Sequence, residues 1–193
     1  MSRNNYIYVD YENVHEADFG RLAGRPAHVT LVLGERHKTL PVALVKLIQR
    51  HASQITLIET GLTAKNALDF VLACEVGAQT ARDPLGFFHI LSRDKGFDAV
   101  IRYLKSRDIF AARRESFAEI PVLMNSSERL KVLRELIHEK KAGFPAKRKT
   151  LESFVQSTFG KAMTPEEVEE TINALIKAKL VMISETAEVT LTN

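Results

Sequence analysis

The 193-residue chain has no tryptophan and a single cysteine, Cys74. One cysteine forms neither an internal disulfide nor a thiolate cluster, which excludes disulfide-stapled secreted scaffolds and zinc ribbons. Set in the apolar run 70–76, Cys74 is expected to be a small buried residue and not a nucleophile. No excess of one charge is present either: 27 Lys and Arg face 24 Asp and Glu, a net charge of +3. That balance tolerates a polyanionic partner without demanding one. Long apolar runs are missing. No stretch approaches the ~20 residues needed to span a bilayer, and no signal-peptide core precedes Tyr6, so a cytoplasmic protein with no membrane partner is expected. Nothing matches a P-loop or a dinucleotide-binding glycine fingerprint. The six histidines (15, 28, 37, 51, 89 and 138) show no pair at metal-ligand spacing. His89 reads as a core residue, whereas His15 falls close to the end of the first apolar run. Repeats and low-complexity tracts are absent.

What is there is 45% hydrophobic and 26% charged, the balance of a folded globular chain. Short apolar runs rich in β-branched and aromatic residues occur at 6–9, 28–33, 55–58 and 87–91, with a weaker one at 109–111. Each is short enough to be a buried strand. Between them, 40–48, 68–76 and the segment opening at Gly96-Phe97-Asp98 carry apolar residues at helical spacing. Alternating strand and helix predicts an α/β parallel sheet with helices on both faces.

The pattern changes after Asn125-Ser126-Ser127. Ser127 is a candidate cap for a helix over 128–140, with Leu130, Leu133 and Ile137 on one face. A break at 142–145 precedes the basic triplet Lys147-Arg148-Lys149, and Thr150 begins a second helix. Thr164-Pro165-Glu166-Glu167 starts a third helix, with proline at its first position, that ends near 178–179. Two short strands, 180–183 and 189–191, close the chain. Three helices and a β-hairpin follow the order of a winged helix, so domains over 1–126 and 127–193 are expected. From Arg129 to Lys149 there are eight Lys or Arg against Glu135 and Glu139. Such a domain binds nucleic acid through phosphate contacts or docks protein, including a second copy as a homodimer. The basic edge at Lys147, Arg148 and Lys149 is the nucleic-acid candidate; the acidic third helix weighs toward docking.

Ligands of an open parallel sheet sit beyond the carboxyl ends of its strands. The first strand ends Val9-Asp10-Tyr11-Glu12-Asn13, and the fourth ends Leu91-Ser92-Arg93-Asp94-Lys95-Gly96-Phe97-Asp98. Lys65-Asn66-Ala67-Leu68-Asp69 opens the helix before the fourth strand. Asp10, Asp94 and Asp98 each have a structural reading as a cap or turn residue. Asp69 is harder to set aside, because Leu72 and Ala73 place it on an apolar face where a carboxylate needs a cation or donors. Gathered at one edge, four aspartates would repel one another unless they held divalent cations, and hard oxygen ligands suit Mg²⁺ or Mn²⁺. Such a centre performs phosphoryl transfer. Lys65, Lys95 and Arg93 are either contacts to a substrate backbone or solvated surface cations.

These segments resemble a known family. Tyr8-Val9-Asp10-Tyr11-Glu12-Asn13-Val14, Lys65-Asn66-Ala67-Leu68-Asp69-Phe70 and Ile90-Leu91-Ser92-Arg93-Asp94-Lys95-Gly96-Phe97-Asp98 are similar, in order, to three motifs of the NYN branch of PIN-like nucleases. The resemblance covers about the first 125 residues. It implies a Rossmann-like PIN fold and a Mg²⁺- or Mn²⁺-dependent ribonuclease acting on RNA, with DNA as the alternative substrate. Asp10, Asp69, Asp94 and Asp98 would be its catalytic, metal-binding carboxylates, with Asn13, Ser92, Lys65 and Lys95 toward the substrate. The competing reading is a non-catalytic nucleic-acid-binding or regulatory module on the same scaffold.

Overall fold

A computed structural model describes residues 3–15, 18–61, 63–139, 143–161 and 163–192. The chain divides into two compact units, one ending at Leu123 and the other starting at Met124.

The N-terminal unit carries five strands: β1 (Asn5–Asp10), β2 (Ala27–Leu33), β3 (Ile55–Glu59), β4 (Phe87–Leu91) and β5 (Phe110–Arg114). They form one sheet in the order β3-β2-β1-β4-β5, parallel throughout. The parallel α/β architecture is the one the alternating pattern predicts. After β1 the chain builds outward through β2 and β3, then returns to place β4 on the other flank of β1. The switch point of the sheet, where ligands of such folds bind, is therefore the β1/β4 boundary.

Helices α1 (Val42–Arg50), α2 (Ala67–Arg82) and α3 (Phe97–Ser106) connect the strands. On one face of the sheet, Tyr8, Val32, Phe88, Ile90 and Ala111 join Leu68, Leu72 and Val76 of α2 and Phe97, Ile101 and Leu104 of α3 in one buried cluster. Alternation along each strand sends Ile7, Val9 and Leu31 to the opposite face, where they too are buried. Phe19 and Phe117, both buried, meet edge to face at 5.7 Å. Cys74 corrects the expectation of burial: it is exposed. The buried stripe of α2 runs Leu68, Leu72, Val76, Thr80, and a residue two positions from Leu72 and Val76 faces outward.

His89 is fully buried, and its Nε2–H donates to Asn5 Oδ1 at 3.1 Å. Its ring stacks on Phe87 at 4.3 Å, and Nδ1 has no partner. Burial, then the nearby Arg114, pushes its pKa down to about 3. The core role holds, with one nitrogen left unsatisfied.

The second unit contains α4 (Ser126–Glu139), α5 (Arg148–Thr158), α6 (Pro165–Lys177) and an antiparallel pair, β6 (Val181–Ile183) with β7 (Val189–Leu191). Its core gathers Leu133, Leu151, Val155, Phe159, Ile172, Leu175 and Val181. Asn125, not Ser127, caps α4: its Oδ1 accepts from the Glu128 N–H at 3.0 Å, and its own N–H donates to Glu128 Oε2 at 2.9 Å. Thr164 and Glu167 make the same reciprocal cap on α6. Arg129 does not belong to a basic surface. It is buried and donates to Glu167 Oε1 at 2.7 Å. Helix α5 begins at Arg148, two residues before the expected Thr150. Lys140, Lys141 and Ala142, from the predicted helix end and break, lie outside the described residues.

Candidate active site

Asp10 is the last residue of β1 and is fully buried. A carboxylate in that position needs donors, and four surround it. Backbone N–H groups of Glu12 and Asn13 donate to Oδ1 at 3.2 and 3.3 Å. Asn13 Nδ2 donates to Oδ2 at 2.6 Å, and Ser92 Oγ donates to the same oxygen at 2.7 Å. Ser92, just past β4, in turn accepts from the Asp94 N–H at 3.0 Å. A relay of hydrogen bonds thus ties the turn after β4 to the end of β1, across the switch point. Ser92, expected toward the substrate, is fully buried with its hydroxyl engaged on both sides, where it positions Asp10.

Asp94 follows on the exposed side of that relay. Its Oδ1 accepts from the Gly96 N–H at 2.7 Å, closing a tight turn into α3. Asp69 sits in the first turn of α2 and is half-buried. Its carboxyl is pushed above the ordinary range, first by burial and then by the negative charges of Asp10, Asp94 and Glu12. Repulsion of that kind acts only between neighbours. Asp10, Asp69, Asp94 and Glu12 are therefore one electrostatic group. Glu12, quoted in the first motif, was not singled out among the carboxylates, although its place two residues after a strand-end Asp was a usable signal. A Cβ on Gly34, at the end of β2, would come 2.0 Å from Glu12 Oε1. A larger residue there would make the flexible Glu12 side chain shift.

Asp98 stands apart. Its Oδ1 accepts from Arg113 Nε at 2.8 Å, and it lines neither of the cavities beside Asp69 and Asp94. Arg113 also donates to the carbonyl of Ser92 at 2.9 Å. The pair braces β5 against the end of β4.

An open cleft of about 540 Å³ lies over the carboxyl edge, bordered by Glu12, Asn13, Asp69 and Asp94, with Arg36 and Lys65 as its cations. Lys95 is exposed but does not line it. Beside the cleft, the loops after β1 and β2 bring His15 and His37 to 5.9 Å between ring centres, with Tyr11 against both. Tertiary contact makes this pair; their spacing in sequence hides it. Among the described residues, no three His, Cys, Asp or Glu side chains stand as a closed ligand set for a metal ion. The donor chemistry nonetheless fits a hard divalent cation. All four carboxylates offer oxygen, and the repulsion felt by Asp69 is what a cation would relieve.

That repulsion has a measurable sign. A carboxyl whose folded pKa is raised loses folding stability as pH rises from the unfolded value, near 3.9, through the folded one. Without divalent cations, Asp69→Asn should therefore melt above wild type at pH 7, and the gap should close at acid pH. Melting curves in EDTA between pH 4 and 8 check this. A variant that melts lower at pH 7 would mean that Asp69 is a structural acceptor.

Searches of curated proteins and of solved structures returned no match. A PIN domain family model, however, matches residues 4–114, from the start of β1 to the end of β5. The matched segment is more than half of the chain and contains the five-stranded sheet with Asp10, Glu12, Asp69 and Asp94. The parallel sheet, the acidic switch point and this match agree: the chain belongs to the PIN domain family.

Proposed function

We propose that the protein is a metal-dependent ribonuclease of the NYN branch, cleaving RNA phosphodiesters at the carboxyl edge of the sheet. PIN domains are generally nucleases and typically use divalent metals. The observation that carries the reading is an open cleft lined by Glu12, Asp69 and Asp94, with Asp10 tied to the Asp94 turn through Ser92. Asp10, Asp69 and Asp94 would hold Mg²⁺ or Mn²⁺, with Glu12 in reach. Asp98 is the fourth aspartate of the motifs, and its ion pair with Arg113 gives it a positioning role in this account. When bound, the cation supplies Lewis-acid chemistry, polarising the phosphoryl group and lowering the pKa of water. Donors from Asn13 and Ser92 fix the direction of the Asp10 carboxylate. Lys65 and Arg36, at the cleft wall, meet the phosphates of the strand. Lys95 would serve the strand beyond the cleft.

The test is cleavage of labelled single-stranded RNA. Wild type should cut it in Mg²⁺ or Mn²⁺ and not in EDTA. Equal cleavage in EDTA, or none with either metal, would contradict the proposal. The second reading, a non-catalytic nucleic-acid-binding or regulatory module, draws on the Asp98–Arg113 pair and on the lack of a closed ligand set among the described residues. It expects RNA binding without cleavage.

For the C-terminal unit we propose a winged helix that holds the RNA backbone. Its three helices and antiparallel pair support that reading. Lys147 and Lys149 are exposed, whereas Arg148 is engaged by Glu152 and Glu169, which hold its guanidinium firmly protonated. Exchanging Lys147 and Lys149 for Glu should weaken RNA binding and flatten its salt dependence by about 0.7 per lost phosphate contact. Arg148→Ala should change the slope little. Unchanged affinity at low salt, with a shift of mass in light scattering, would make this unit a protein-docking or homodimer module.

A further inference from the structure

A second, smaller cavity of about 240 Å³ adjoins the acidic cleft and shares Asn66, Asp69 and Asp94 with it. Its other walls are apolar, formed by Phe70, Ala73, Phe97 and Val100 of α2 and α3. Phe70 is 68% exposed although it follows directly on Asp69. Scattered apolar residues on a surface need no explanation, but this one borders the acidic cleft and faces a slot too small for a drug-sized ligand. A phosphate gains nothing from such walls. The group that a nucleic-acid strand carries beside each phosphate does: a base has two apolar faces and a polar edge.

Asn66 stands at the shared rim. It precedes α2 with φ 60° and makes no capping bond with its side chain. Asparagine tolerates the left-handed region better than most residues. Its amide offers both a donor and an acceptor at the mouth of the slot.

We infer that the slot between the N-terminal ends of α2 and α3 is a nucleobase subsite, in which Phe70 stacks on the base flanking the scissile phosphate and Asn66 reads its edge. The substrate is accordingly single-stranded, because a paired base cannot leave its stack without cost. The inference rests on the proposed nuclease reading for the position of the phosphate, but its test does not require catalysis.

The chain contains no tryptophan, so Phe70→Trp places a sole tryptophan, excitable apart from the four tyrosines, at the slot. With Ca²⁺ in place of Mg²⁺, a single-stranded RNA oligonucleotide should quench its emission, and an abasic ribose-phosphate strand of equal length should not. Leu85→Trp, at a 72%-exposed site between α2 and β4, should respond to neither. Phe70→Ala should weaken RNA binding by roughly 5- to 150-fold, the range of one base–aromatic stack, and Phe70→Tyr should restore it. Quenching without cleavage in Mg²⁺ would keep the subsite and overturn the nuclease reading. Cleavage with no quenching and with unaltered Phe70→Ala affinity would overturn the subsite alone. Loss of a dimer in Phe70→Ala, with RNA affinity unchanged, would also overturn it by assigning Phe70 to contact between copies of the chain.

Discussion

Replacing Asp94 by Asn is expected to lower the rate of RNA cleavage by about 10³-fold while leaving the fold intact. Asparagine keeps an oxygen where Oδ1 now accepts from the Gly96 N–H, so the turn into α3 persists. The negative charge is lost, and with it a donor to the cation. Several kcal/mol of charge stabilisation in the transition state would depend on the cation proposed there, and each 1.36 kcal/mol is tenfold in rate, hence ~10³. Because Asp94 contributes to the repulsion on Asp69, the variant in EDTA should melt at or above wild type. Steady-state kinetics in Mg²⁺ and melting in EDTA check both halves. A variant that cleaves normally would remove Asp94 from the centre, and one that melts well below wild type would make it a turn residue.

The largest stability effect belongs to the other unit. Arg129, with 3% of its side chain exposed, faces Glu167 at 2.7 Å. Glu167→Ala leaves a buried guanidinium without that partner, which typically costs about 3–5 kcal/mol. It also removes one arm of the reciprocal cap at Thr164, worth about 1 kcal/mol more. Arg148→Ala, which breaks two ion pairs on the exposed side of the same unit, should cost under about 1 kcal/mol. Urea unfolding followed on the C-terminal unit compares the two. Equal, small losses would show that solvent screens the Arg129 pair.

The sheet was legible because its buried strands are short β-branched and aromatic runs, and α2 and α3 announce themselves by apolar spacing. The end of β5 was not. Arg113 and Arg114 look like surface residues in sequence, yet they complete the strand, and Arg113 takes up Asp98. Asp98 therefore differs from Asp10, Asp69 and Asp94 in its ion pair with Arg113. Nothing local to Asp98 reveals a partner fifteen residues on. Arg129 was misjudged for the same reason, since its carboxylate lies 38 residues away on α6. Asp69, by contrast, stood out: a carboxylate on an apolar helix face must find donors or a cation. Asp10 reads in sequence as a cap, and its complete burial emerges only in the fold. Strand order decides which of those carboxylates meet, and no single segment encodes it.

The most direct measurement is a titration of Mn²⁺ followed by the paramagnetic resonance of the free ion. Wild type should remove Mn²⁺ from solution, and Asp10→Asn, Asp69→Asn and Asp94→Asn should each bind it more weakly, while Asp98→Asn should bind it nearly as wild type does. Mn²⁺ that stays free in the presence of wild-type protein, or binds equally to all four variants, would contradict a metal centre at the end of β1.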